Sequence, residues 1–207
     1  LLTPSIAALA HTGNNAAAVD NISTASASVI RTGNIYIPPG AYLHFDHLFD
    51  LENLWDGGVI EYSVNSGASW NDANSLIVPG VGRNYTGTLN AGSGNPLQGR
   101  AAFTGASHGY VGSTYDLSSL AGQNVMFRWV LGTDPSVGKM AWVLDDVMVY
   151  TCHTDTGALI DFNANGNTDV SVFRPSTGLW YAKDIFTLAY GGPGDIPVPA
   201  DYNGDNL

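Results

Sequence analysis

Apolar and polar side chains alternate through several stretches of this chain. Leu43, Phe45, His47, Phe49 and Leu51 fall on one face, with His44, Asp46, Asp50 and Glu52 on the other. Ile60, Tyr62 and Val64 alternate with Val59, Glu61 and Ser63. Val125, Phe127, Trp129 and Leu131 alternate with Met126, Arg128 and Val130. A period of two marks a β-strand, because successive side chains leave opposite faces of a sheet. Met140 to Tyr150 reads as one long strand, apolar on both faces except at Asp145 and Asp146. Helical periodicity is confined to Ala7–Ala10 and Ala16–Ala18, and Gly13, Asn14 and Asn15 interrupt it.

Turn-forming clusters separate these runs: Gly33-Asn34, Pro38-Pro39-Gly40, Asp56-Gly57-Gly58, Asn65-Ser66-Gly67 and the stretch from Asn90 to Pro96. Strands punctuated in this way predict an all-β chain, an antiparallel jelly-roll β-sandwich. The Gly-rich region from Asn71 to Gly112 predicts an exposed insertion between strands, a common place for binding. The hydrophobic strand ends near Cys152, so the expected domains are 1–152 and 153–207. In the second, strands are expected at Val170 to Phe173, Leu179 to Lys183 and Phe186 to Tyr190, with a turn at Arg174–Gly178.

Composition narrows the function. The 207 residues carry a net charge of −11, with 7 basic against 18 acidic side chains. Nucleic acid is excluded as a partner, because phosphate binding needs clustered Lys and Arg. No apolar run is long enough to span a bilayer, so no membrane insertion is expected. Cys152 is the only cysteine, so no disulfide forms within the chain. Leu1-Leu2-Thr3-Pro4 lacks the features of a signal peptide, and an internal or mature fragment is expected, with its last loop cut at Leu207.

Asp161, Asn163, Asn165, Asn167 and Asp169 place oxygen side chains at alternate positions around Gly166. Ca²⁺ takes about six to eight oxygen ligands, and a short loop of this kind can wrap it. The pattern returns in part at Asp201, Asn203 and Asp205. Ca²⁺ is therefore the expected cofactor, and a secreted or cell-surface location the expected setting. Asp145 and Asp146, adjacent on a strand, are expected to point to opposite faces. The one among Val143, Val147 and Val149 then needs a calcium ion or a hydrogen-bonded turn to compensate its burial.

Other constellations read as structure first. Ser63 to Trp70 is similar to an Asp-box hairpin with Asn65 in the acid's place, and implies a turn. His44 and His47 face opposite ways and cannot chelate jointly, while zinc needs three or four converging ligands. His11, His108 and His153 are scattered. No Gly-x-Ser-x-Gly elbow is present, and Cys152 has only His153 beside it. Paired acids for glycoside hydrolysis stay open, because their geometry is tertiary. The aromatics Trp55, Trp70, Tyr85, Tyr110 and Tyr115 fit a sandwich core or a platform for sugar rings. Arg83 and Arg100 fit a ligand-orienting role or a pairing with acids. Trp55, Tyr85, Arg83, Arg100 and Tyr110 are the candidate ligand-binding residues.

Two family resemblances add to this. Asp161 to Pro199, with Asp-Phe-Asn-Ala-Asn-Gly-Asn-Thr-Asp, Val-Phe-Arg-Pro-Ser-Thr-Gly-Leu-Trp-Tyr and Gly-Asp-Ile-Pro-Val-Pro-Ala-Asp-Tyr, resembles an FG-GAP/VCBS-type repeat (about 158–207). It implies a small propeller-blade-like unit with a calcium loop. Asn163 and Asn165 stand where acids are more usual, which implies weaker binding. Residues from about 14 to 152 resemble a MAM-like jelly-roll accessory module of secreted bacterial proteins. The residues that carry this are His44-Phe45-Asp46-His47, Trp55-Asp56-Gly57-Gly58, Asn95-Pro96-Leu97-Gln98-Gly99-Arg100, Asp116 to Gln123, Leu131-Gly132-Thr133-Asp134 and Trp142-Val143-Leu144-Asp145-Asp146-Val147. That resemblance implies a structural calcium held by Glu52, Asp56 and Asp145, with Asp20 a weaker candidate.

The expected function is a noncatalytic, calcium-stabilised recognition or accessory module that binds an extracellular glycan or protein. The alternative is a structural subunit of an extracellular assembly that joins copies of itself by strand addition. A hydrolase fits least.

Overall fold

The structure is a computed structural model, and it describes residues 9–151, 162, 169–189 and 191–192. The chain divides into two compact units, Leu1–Cys152 and His153–Leu207. The first carries strands β1 (Ala17–Asp20), β2 (Ser26–Arg31), β3 (Ile35–Tyr36), β4 (Ala41–Asp50), β5 (Gly57–Ser63) and β6 (Asn71–Asp72). These are followed by β7 (Ile77–Gly82), β8 (Gly87–Thr88), β9 (Ala101–Ala102), β10 (Val111–Asp116), β11 (Asn124–Thr133) and β12 (Ala141–Thr151). The second carries β13 (Ser171–Arg174), β14 (Leu179–Ala182) and β15 (Phe186–Ala189). All pairings among the described strands are antiparallel. The expected all-β class and sandwich-like arrangement are observed.

The larger unit has two main sheets, one ordered β1-β12-β4-β10-β7 and the other β2-β11-β5-β6, with β3 also on β11. The alternation read in the sequence sets their faces. Along β4 every second residue, from Ala41 to Phe49, is buried. Leu43, Phe45 and Phe49 meet Phe127, Trp129 and Leu131 of β11 in one core cluster. Phe45 packs edge-on to Trp129 at 5.4 Å and stacks on Tyr115 at 5.8 Å. Each such pair adds about 0.5–1.5 kcal/mol beyond the area it buries. Trp142 of β12 lies against Gly58 of β5, where any Cβ would collide with the indole ring.

His47 belongs to the apolar face and is fully buried. Its hydrogen bonds form a consistent relay. Trp142 Nε1–H donates to His47 Nδ1 at 3.1 Å, so Nε2 carries the ring proton and faces Ser113 Oγ at 3.0 Å. Ser113 Oγ donates to the Arg83 carbonyl at 2.6 Å. Burial, then the nearby charges of Arg83 and His44, lower the His47 pKa to about 3.

Two expectations are corrected. The region from Asn71 to Gly112 is more than an exposed insertion. It supplies edge strand β7, and Leu89, Leu97 and Ala102 are buried against Val59 and Val130 on the far side of the second sheet. Those apolar residues follow no short period, so pattern reading missed them. In β12 the register shifts between Asp145 and Met148, and Asp146 has φ 48°. This bulge breaks the alternation. Asp145 and Asp146 both bond to residues 11–12 instead of facing opposite ways, and Val147 and Met148 are exposed.

In the smaller unit, β13, β14 and β15 form a three-stranded meander. The turn between β13 and β14 closes through Gly178, whose N–H donates to the Arg174 carbonyl at 3.0 Å and whose φ is 64°. Phe173 packs on Trp180 at 5.1 Å.

Candidate functional site

The tight turn after β4 brings Glu52 and Asp56 together. The Glu52 carbonyl accepts the N–H groups of Trp55 (3.1 Å) and Asp56 (2.9 Å), and Leu54 takes φ 65° to close the turn. The loop between β11 and β12 supplies the third acid. Asp134 N–H donates to Asp56 Oδ1 at 2.7 Å, and Asp134 Oδ1 accepts from Ser136 N–H at 2.8 Å. Ser136 Oγ lies 2.9 Å from Asp134 Oδ1 and 3.4 Å from Glu52 Oε2. Glu52, Asp56 and Asp134 each offer a carboxylate oxygen, all within 4.8 Å of one another.

This triad is deeply placed and lacks a counter-charge. Asp56 is 0% exposed and Asp134 is 3% exposed. Among the described residues, no Lys or Arg forms an ion pair with any of the three. Asp56 Oδ2 is buried without a hydrogen-bond partner, and so is Asn21 Nδ2. The Asp56 pKa is raised, first by burial; the Asp134 N–H and the approach of Asn21 offset this in part, and the charges of Asp134 and Glu52 add to it. A buried carboxylate faced by two other acids, relieved only by one backbone N–H and the approach of Asn21, is costly, and a cation would offset that cost. An all-oxygen set of three carboxylates and a hydroxyl suits a hard cation such as Ca²⁺.

The structure changes the membership expected for this site. Glu52 and Asp56 come together as expected, but Asp134 is the third acid, not Asp145. Asp145 Oδ2 instead accepts the N–H groups of His11 (2.7 Å) and Thr12 (3.2 Å). Asp20 is exposed at the end of β1 and belongs to neither acidic group. The sequence does hold a signal for Asp134. Asp-Pro-Ser is a turn initiator in which the carboxylate caps the N–H two residues on, and Asp134 does this to Ser136.

Of the loop in the second unit, Asp169 is described. Its Oδ2 accepts the Phe162 N–H at 2.7 Å, and Phe162 packs on Phe186 at 4.9 Å. Asp161, Asn163, Asn165 and Asn167, and likewise Asp201, Asn203 and Asp205, lie outside the described residues.

The five candidate ligand-binding residues do not form one patch. Tyr85 is largely enclosed; its hydroxyl accepts the Ile60 N–H at 3.0 Å and lies 3.2 Å from Asp72, and burial raises its pKa. Arg100 joins Glu61 (2.6 Å) to Asp72 (2.8 Å). Tyr110 stacks on His11 at 4.7 Å and donates to the Leu9 carbonyl. Trp55 is 41% exposed beside the triad. Arg83 is exposed, and its guanidinium has no carboxylate partner among the described residues. It borders an open concavity of about 810 Å³ lined by Gly80, Gly82, Asn84, Tyr85, Thr86 and Gly112 among others.

The stretch that is similar to an Asp-box folds as a turn. Asn65 Oδ1 accepts from Ser63 Oγ (2.8 Å) and the Ser69 N–H (2.9 Å), and Trp70 lies under the Arg128 guanidinium at 4.2 Å. Among the described residues no helix is long and apolar enough to cross a membrane. No protein-family model matches the chain, and a search of curated proteins finds no match.

Proposed function

We propose that this chain is a noncatalytic, calcium-stabilised recognition module of a larger secreted protein, taking an extracellular glycan or protein as its ligand. The observation that carries the calcium reading is the Asp56 carboxylate, fully buried beside Glu52 and Asp134 with one oxygen unpartnered. Calcium there would tie the turn after β4 to the β11–β12 loop, as a disulfide does in other small extracellular folds. The resemblance of residues 14–152 to MAM-like modules, and of 158–207 to an FG-GAP/VCBS-type repeat, supports an extracellular setting. Two other carboxylates in this unit, Glu61 and Asp145, are tied up. Glu61 holds two arginines, and Asp145 holds backbone N–H groups. Groups so engaged are poorly placed to move protons, which favours binding over chemistry. For the ligand, Arg83 at the rim of the glycine-lined concavity is the exposed charge free to orient an incoming polar group.

Two measurements test the two halves separately. Melting with excess calcium and with EDTA tests the metal; an unchanged transition overturns it. Glycan-array and extracellular-protein binding screens, run with the native chain and Arg83→Ala, test recognition. Silence on both screens, or binding indifferent to Arg83→Ala, overturns the ligand reading and leaves the calcium result standing.

A further inference from the structure

A second group of metal-ligating side chains lies on the outer face of the first sheet, apart from the calcium triad. It is assembled from three distant parts of the chain. Asp46 projects from β4, Asp146 from the bulge in β12, and His11 from the segment before β1. His11 Nδ1 is 3.1 Å from Asp146 Oδ2 and 3.2 Å from Asp46 Oδ2. His44 Nε2 stands 3.5 Å from the other Asp46 oxygen, and its Nδ1 is 3.0 Å from Thr114 Oγ1. Gly112 on β10 leaves room for this, since a Cβ there would come within 2.8 Å of the His44 ring and 3.1 Å of Asp46 Oδ1.

We propose that His11, Asp46 and Asp146 form a binding site for a zinc-class divalent ion, with His44 orienting Asp46, and that the ion clips residues 9–12 onto the sheet. The donor set is one imidazole nitrogen and two carboxylate oxygens, open to solvent on one side, which suits zinc better than calcium. The spacing agrees. Ligand atoms of a tetrahedral zinc with bonds of about 2.0–2.1 Å lie about 3.3–3.4 Å apart. Charge-assisted hydrogen bonds to a carboxylate are shorter, about 2.7–2.9 Å. The two His11 contacts, at 3.1 and 3.2 Å, fall between the two ranges, so the nitrogen and the two oxygens need close in only slightly around an ion. One ring nitrogen also faces two carboxylate oxygens at once, an arrangement that a single N–H can serve only as a shared, three-centre contact.

The ligands are fixed without help from an ion. Asp145 holds the backbone of His11 and Thr12, Tyr110 stacks on the imidazole, and Thr12 Oγ1 donates to Asp146 Oδ1. Asp146 keeps a left-handed backbone that disfavours a non-glycine residue by roughly 1–2 kcal/mol. That conformation turns its carboxylate toward His11, where regular strand geometry would send it to the other face.

The test uses the full chain without an affinity tag, stripped with EDTA, dialysed, and titrated calorimetrically with zinc in saturating calcium. One zinc per chain is expected, with a Kd of about 10 μM or tighter. Cobalt in its place should give the visible absorption of a four-coordinate ion. His11→Ala and Asp146→Asn should each remove this binding, while His44→Ala should weaken it by about 10-fold, as loss of an orienting partner does. Asp20→Asn, exposed at the end of β1 and in neither acidic group, should leave it unchanged. Circular dichroism controls for folding, and His11→Ala, altering a residue before the first strand, should keep the native spectrum. Slower hydrogen exchange at Thr12 on adding zinc provides a readout independent of heat. Absence of zinc binding by the native chain, or binding that survives His11→Ala, overturns the proposal.

Discussion

Two buried carboxylates in this molecule are handled in opposite ways. Glu61 is 6% exposed and lies between two guanidinium groups: Arg100 at 2.6 Å, and Arg128, whose Nε is 2.6 Å from the other oxygen. Asp56 is 0% exposed and has Glu52 and Asp134 for neighbours. Around Glu61 the chain brings its own cations, and each carboxylate oxygen is satisfied. Around Asp56 it brings more negative charge, and only one backbone N–H and the approach of Asn21 to offset it. In a chain with only 7 basic residues, spending two arginines on one acid is informative. The first site is complete as a protein structure, and the second is the one at which we propose an ion from solution.

The contrast can be broken at several points. The largest effect is expected from Glu61→Ala, which takes the carboxylate from Arg128 and leaves Arg100 with Asp72 alone: a loss of about 2–4 kcal/mol in urea unfolding, equal with calcium and with EDTA. A loss that depends on calcium would merge the two sites. Next comes calcium withdrawal from the native chain. At about one hundred times its Kd, calcium adds about 2.7 kcal/mol, so EDTA should lower the melting temperature by several degrees. Asp56→Asn should abolish that difference.

A third buried titratable group extends the comparison, because His47 is neither paired nor metal-bound but held neutral. Its pKa is about 3 in the folded chain, against the ordinary 6.5. Below pH 6.5 the unfolded chain takes up a proton that the folded chain refuses. Stability should therefore fall with falling pH, by about 1.4 kcal/mol per unit from this group, until about pH 3. Unfolding measured from pH 7 to pH 5 in saturating calcium checks this, and His47→Gln should flatten the slope. The smallest effect is expected at the edge of the Glu61 site. Trp70→Leu removes the ring under Arg128 and should cost about 0.5–1 kcal/mol, with no change in calcium response.

Much of the fold was legible in the sequence because β4 is a half-buried strand throughout and β11 is one along its first half. Their alternation follows directly from which side faces the core, and even His47 fell on the correct face. The same logic failed in β12. A period-two reading assumes an unbroken pleat, and the bulge at Asp145–Met148 turns Asp146 toward its neighbour's side. The candidate calcium site was half legible. Glu52 and Asp56 lie in one short turn, so their proximity is local. Asp134 arrives from 78 residues away, through a hydrogen bond that no spacing rule contains. His11 shows the same limit. It reaches Asp146 across 135 residues, and no strand pattern near the start of the chain points there.

The most direct measurement is a calorimetric calcium titration of the EDTA-stripped full chain, compared with Asp56→Asn and Asp134→Asn. Calcium held by the buried triad predicts a binding component present in the native chain and missing from both variants, while any weaker site in the second unit persists in all three. Isotherms that are the same in all three chains would contradict it, and would leave the buried carboxylate of Asp56 to be answered by something other than calcium.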